Sequence, residues 1–309
     1  MIAWLQQINE ASIPFILWLQ GNFQSEGATA MMRFFSFLGT ESFFLLAMPF
    51  IYWTLSKRWG AMAALALVFS SYVSGFIKWT FNIPRPPSPP IQKLWHETSP
   101  AFVSGHAATA MGVWGVLAVQ VRRTWFWILA GALIFYIGCS RIYLGVHYPT
   151  DVIGGWLAGL AVAAALLWGA PKLEMVVRAR CARTIILTSL AFSLLLLVIF
   201  PIDPQNSSWP NASAVQLAGL LFGILAGLTW DVKRLDFQVD GPWGRRILRF
   251  IVGLALVALC YVGPKFLLDA LPVADYLALQ AIRYLRYALV GFVVSGLGPW
   301  LFQKLSLAR

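Results

Sequence analysis

Trp125 to Gly169 reads WFWILAGALIFYIGCSRIYLGVHYPTDVIGGWLAGLAVAAALLWG, two apolar runs joined by a short polar turn. Arg141 and Asp151 are its only charged residues. Each run has the length of a helical membrane crossing, roughly 20 mostly apolar residues. Neither run alternates with the period of two that a barrel strand needs, and backbone groups in lipid must bond within their own segment. The stretch therefore predicts two transmembrane helices, at about 125–142 and 150–169, with the polar turn held at one membrane face.

The rest of the chain extends this pattern. Of 309 residues, 59% are hydrophobic and 11% charged, with a mean hydropathy of +0.72. Soluble domains average about 25% charged residues, so a single water-soluble core is excluded. Further apolar runs predict crossings at about 32–55, 59–82, 104–121, 184–202, 212–230, 247–268 and 284–303, making about nine in all. Pro264 and Lys265 interrupt the eighth, and 269–282 is a possible re-entrant stretch. The first 22 residues lack a basic start and contain Glu10 and Pro14, which favours an interfacial amphipathic segment over a cleaved signal. Cys139, Cys181 and Cys260 show no paired spacing, so neither disulfides nor a zinc site is expected.

Basic residues set orientation. Lys57, Arg58, Arg122, Arg123, Lys172, Arg178, Arg180, Arg183, Lys233, Arg234, Arg245, Arg246, Arg249, Lys304 and Arg309 fall on alternate connections, 15 of the 23 Lys and Arg. The positive-inside rule assigns that side, with the C-terminus, to the cytoplasm. The connection 203–211 on the other side has no basic residue, and its Asn206-Ser207-Ser208 is a weak glycosylation sequon. The net charge of +11 is then a topology signal, and no nucleic-acid partner is expected.

Three polar clusters interrupt the apolar pattern, and this topology puts all three on the extracytoplasmic face. The first runs from Lys78 to Arg85-Pro86, the second is Val103-Ser104-Gly105-His106, and the third is Ser140-Arg141-x5-His147-x3-Asp151. Lys78, Arg85 and Arg141 exceed the nearby acids, Glu97 and Asp151, so a bound anion would complete the set. Two Arg forks and a Lys suit the several oxygens of a phosphoryl group. Ser104 is placed to cap a helix whose first amides, those of Gly105 and His106, favour an anion. Pro149 fits the first position of the next helix, which puts Asp151 within reach of the imidazole of His147. An Asp that fixes the tautomer leaves the other ring nitrogen free to attack phosphorus, while His106 protonates the leaving oxygen and later activates water. No acidic or histidine cluster has metal-ligand spacing, so these cations are expected to stabilise the transition state without metal or cofactor. Taken singly, each cluster also fits a blander role: headgroup anchoring for Lys78 and Arg85, capping for Ser104, an interfacial ion pair for His147 and Asp151. Order, spacing and sidedness together favour chemistry. His96, beside Glu97, reads as a solvated loop residue.

These residues resemble the type 2 phosphatidic acid phosphatase (PAP2) superfamily of integral membrane lipid phosphatases, whose motifs are Lys-x6-Arg-Pro, Pro-Ser-Gly-His and Ser-Arg-x5-His-x3-Asp. The resemblance spans about 59–160, with Val103 where the family has proline before Ser-Gly-His. It implies an all-α polytopic transmembrane helix bundle with a PAP2-like core. It makes His147 the nucleophile that becomes a phosphohistidine, with Asp151 assisting and His106 as general acid and base. Lys78, Arg85, Ser104, Gly105 and Arg141 would hold the phosphate, and no metal would be needed.

The expected organisation is an interfacial N-terminal segment (1–31), a catalytic transmembrane core (32–170) and a C-terminal helical extension (171–309). The expected activity is hydrolysis of a lipid phosphate or diphosphate monoester in the plasma (inner) membrane, with lipid substrate and membrane lipids as partners and the oligomeric state open. Two other readings share the same residues: a phosphotransferase using an acceptor other than water, and an anion or lipid transporter in which the cations only bind.

Overall fold

The computed structural model describes residues 2–203, 209–269 and 275–308, and among them there are helices and no strand. The sequon at Asn206 and residues 270–274 of the supposed re-entrant stretch lie outside the described residues. The chain forms two compact units: residues 1–45 with 69–167, and residues 46–68 with 168–309. The second unit thus includes a segment, 46–68, that comes early in the chain.

The first unit begins with α1 (Ile2–Ala11), α2 (Ile13–Phe23) and α3 (Glu26–Phe37). Ser25 starts α3 by accepting the amide of Ala28 at 3.1 Å. The N-terminal segment has two faces. Trp4, Phe15, Trp18 and Phe23 are exposed, whereas Asn9, Ile16 and Gln20 are buried. Ile16 packs with Ile91 and Tyr148, so this segment belongs to the packed body of the unit as well as presenting an apolar surface.

After α3 the chain bends by 56° into α4 (Glu41–Phe50), which continues as a π-helical turn to Leu55. Gly39 sits at the bend, where an added Cβ would lie 2.8 Å from Ile137 Cγ2 and 3.0 Å from His106 Cδ2. The close approach of backbone to that imidazole depends on the missing side chain. The straight crossing expected at 32–55 is therefore a broken pair of helices.

Then come α5 (Lys57–Phe81), α6 (Gly105–Val121), α7 (Thr124–Tyr143) and α8 (Pro149–Ala179). At 17 residues α6 is about 26 Å long. It stops at Arg122, whose φ of 54° is left-handed. Gly155 and Gly159 let α8 lie flush on α6: a Cβ on Gly155 would stand 2.5 Å from the Ser104 carbonyl, and one on Gly159 would strike the Ala108 carbonyl.

The second unit contains α9 (Ala182–Ile199), α10 (Ala212–Trp230), α11 (Trp243–Asp269), α12 (Tyr276–Phe292) and α13 (Gly298–Lys304), with π-helical turns at Asp231–Leu235 and Val293–Leu297. Tyr52, Trp53, Phe237 and Phe302 form one of its core clusters, and Val215, Ala218, Tyr284 and Ala288 another. Gly219, Gly223 and Gly227 line α10 where the backbone of Tyr284 and Ala288 and the hydroxyl of Ser295 come against it.

Seven helices among the described residues are long and apolar enough to cross a membrane, or eight if the bent pair counts as one crossing. Of the nine expected, the two outside those seven are α6, at 17 residues, and the pair broken near Gly39.

Candidate active site

All three polar clusters lie in the first unit, at the ends of helices. Lys78 is in the last turn of α5, Ser104 caps α6, Arg141 is in the last turn of α7, and Asp151 is in the first turn of α8. Their side chains turn inward. Lys78 is 7% exposed, Arg141 and Asp151 0%, and His147 1%. Headgroup anchoring would have left Lys78 and Arg85 on the surface. Instead Lys78 Nζ donates to the carbonyls of Pro100 (2.5 Å) and Ala101 (3.3 Å), and Arg85 Nε donates to the carbonyl of Ser99 at 2.6 Å.

The histidine turn is fixed from both sides. His147 Nδ1 lies 3.1 Å from Asp151 Oδ2, which also accepts the Tyr148 amide at 2.8 Å. Arg85 Nη1 donates to the Val146 carbonyl at 2.7 Å and lies 3.2 Å from His147 Nε2. A guanidinium has no acceptor, so Nε2 carries the lone pair and the ring proton sits on Nδ1, donated to Asp151. Burial, followed by the positive charges of Lys78, Arg85 and Arg141, holds His147 well below the usual imidazole range and keeps it neutral.

Glu97 ties the two arginines together. It accepts from Arg141 Nη2 and stands 3.5 Å from Arg85 Nη2, with its side chain 19% exposed. Arg141 Nη1 donates to Ser36 Oγ on α3, and its guanidinium lies over the Trp95 ring. Ser104 joins the third cluster through its amide, which donates to the Asp151 carbonyl at 2.9 Å. At Gly105 a Cβ would meet only Ser74 Oγ at 3.6 Å and Lys78 Cε at 4.0 Å, ordinary distances, so packing within the protein does not demand glycine there. The amides of Gly105 and His106 belong to the first turn of α6, which an α-helix leaves unbonded.

Some polar atoms in this cluster are buried without partners among the described residues: His106 Nε2, Arg141 Nε and Asp151 Oδ1. Two of them suit contact with phosphoryl oxygens, and the count of three cations against Glu97 and Asp151 leaves a positive excess. The expected residues Lys78, Arg85, Arg141, His147, Asp151 and Ser104 are thus linked directly or through Glu97 and the loop carbonyls. His106 and Gly105 come to the same place on the first turn of α6.

Sequence reading missed Ser36 and gave Glu97 only the status of a nearby acid. Ser36 shows as a lone hydroxyl in an apolar run, a pattern common in spans, and nothing local announces its partner across 105 residues. His96 is exposed, as expected of a loop residue.

With this geometry in place, two family models match the chain: the PAP2 superfamily over residues 59–174, and the transmembrane extension of PAP2 superfamily phosphatases over residues 215–309. The chain belongs to the PAP2 superfamily. Among its relatives, sphingosine-1-phosphate phosphatase 1 of Mus musculus is 24% identical over 88% of this chain and 71% of that protein. Phosphatidylglycerophosphatase B of Bacillus subtilis (strain 168) is 34% identical over 40% of this chain and 66% of that protein. A solved PAP2 type phosphatidylglycerolphosphate phosphatase from Bacillus subtilis aligns with a TM-score of 0.46 and 24% identity, covering 54% of this chain and 87% of that one.

Proposed function

We propose that this multi-pass membrane phosphatase hydrolyses a lipid phosphate or diphosphate monoester through a phosphohistidine on His147, at the extracytoplasmic face and without metal. The observation that carries the reading is the orientation of one imidazole. His147 is buried and neutral, its Nδ1 proton goes to Asp151, and its Nε2 lone pair lies 3.2 Å from Arg85.

In the first step an incoming phosphoryl oxygen takes up the donors of Arg85, leaving Nε2 free to attack phosphorus. The P–O bond to the lipid breaks, and the leaving oxygen takes its proton from His106, which enters the step as the imidazolium after taking the proton of the incoming phosphomonoester. Asp151 stabilises the charge that develops on the ring. Lys78, Arg85, Arg141 and the amides of Gly105 and His106 hold the equatorial oxygens. In the second step His106 removes a proton from water, water oxygen bonds to phosphorus, the P–N bond breaks, and inorganic phosphate leaves with His147 neutral again. Within the expected core of 32–170 the catalytic groups come from 78–151, residues 1–31 present an apolar face suited to the interface, and residues 171–309 form a helical extension. The extracytoplasmic assignment rests on the distribution of Lys and Arg.

The test is phosphate release by detergent-purified protein in chelator, with a panel of lipid phosphates. Wild type is expected to turn over at least one of them and to yield an acid-labile, base-stable phosphoenzyme on rapid quenching. Equal turnover by His147→Ala would overturn the assignment.

A further inference from the structure

Residues 1–45 precede the stretch matched by the PAP2 superfamily model, which begins at residue 59. Yet two buried polar side chains in them reach the segments that carry the catalytic groups. Gln20 on α2 is 5% exposed. Its Nε2 donates to the carbonyl of Gln92 at 2.9 Å and to the carbonyl of Tyr143 at 3.0 Å, while its Oε1 accepts the Gln92 amide at 3.1 Å. Both amide protons and the oxygen are thereby engaged.

Gln92 belongs to the loop between Arg85 and Glu97, and Tyr143 ends α7, between Arg141 and His147. Gln20 therefore joins the loop between Arg85 and Glu97 to the end of α7, two residues beyond Arg141. On α1, Asn9 is 3% exposed and its Oδ1 accepts the hydroxyl of Thr150, the residue before Asp151. Between the two, Ile16 packs on Ile91 and Tyr148. Three contacts from one helical pair thus fall on three catalytic segments.

We propose that α1 and α2 form a positioning clasp, in which Gln20 holds the Arg85 loop in register with the His147 turn and Asn9 steadies the first turn of α8. Gln20 touches no reacting atom and acts through Arg85 and His147. The contribution to turnover rests on the phosphatase reading above, whereas the contribution to local order does not. A displacement of about 1 Å at the nucleophile is enough to cost on the order of 100-fold in rate.

Gln20→Met keeps the side-chain length and removes all three hydrogen bonds. Two readouts test it on the full chain. Hydrogen exchange is expected to quicken at the amides of 88–99 and 141–148, with α10 unchanged; no local quickening would overturn the clasp whether or not any substrate is turned over. In phosphate release, kcat is expected to fall about 10- to 100-fold with KM within a few fold, and a kcat within twofold of an active wild type would overturn it. Gln20→Glu guards against a variant that fails to fold. Its carboxylate repels the two carbonyls, while its acid form donates to one of them. Glu26 and Arg33, which line the same groove as Gln20 and Gln92, stay unchanged. The ratio of Gln20→Glu to wild-type turnover should therefore rise as pH falls, a rescue that simple loss of packing would not produce; a ratio independent of pH would overturn the hydrogen-bonding role.

Discussion

Two buried charged sites, Asp231 in the second unit and the histidine and arginine cluster in the first, use charge differently. In the second, Asp231 is fully buried and closed off: Lys57 donates to it at 2.8 Å, the Phe237 amide at 2.9 Å, and it fastens a π-helical turn. In the first, Lys78, Arg85 and Arg141 share Glu97 and Asp151, and His106 Nε2 and Arg141 Nε remain without partners among the described residues. A buried ion pair whose hydrogen bonds are complete serves as a fastener. A buried cluster with surplus cations and unspent donors is arranged to receive an anion.

On this contrast, substitutions in the cluster of the first unit cost activity and those at Asp231 cost stability. The largest expected effect is that of His147→Ala, which should lower kcat per folded molecule by roughly four orders of magnitude or more. Arg141→Lys keeps the charge but loses the fork that reaches Ser36 and Glu97, and kcat/KM should drop about 100-fold. Asp231→Ala should leave kcat per folded molecule unchanged and destabilise the protein by about 1–3 kcal/mol, read as a lower unfolding temperature in detergent, because it strands the Phe237 amide and Lys57. A large fall in kcat for that variant at equal folded fraction would break the division between units.

The smallest effect is a displaced pH limb. His147 has its pKa lowered from the model-peptide value of 6.5, so the neutral nucleophile persists as pH falls through that value. The part of the acid limb of kcat/KM that comes from protonation of His147 in the free enzyme should therefore lie below pH 6.5. Stability has the same sign. The unfolded chain binds a proton at this group that the folded one rejects, so the contribution of His147 to folding free energy falls as pH drops below about 6.5.

Much of this site was legible in one dimension because its parts are local. Ser104 precedes α6, and Pro149 and Asp151 open α8 four residues from His147, spacings that fix capping and tautomer from helix geometry alone. The crossings were legible for the same reason, since apolar length is a local quantity. What escaped was set by distant contacts. The crossing expected at 32–55 is broken near Gly39, which lies against His106 and Ile137, partners that a hydropathy window does not see. Residues 46–68 join the second unit through Tyr52 and Trp53, whose ring nitrogen donates to the Val294 carbonyl at 2.8 Å, 241 residues away.

The sequence by itself determined that the chain is an all-helical membrane protein and which charged and histidine residues interrupt its apolar runs, because charge in lipid is scarce and each instance stands out. Tertiary structure decided which acid pairs with which arginine, that Ser36 supports Arg141, and that Gln20 bridges Gln92 and Tyr143. A serine or glutamine within an apolar helix is common, and its meaning lies in the backbone carbonyl or guanidinium that packing brings to it.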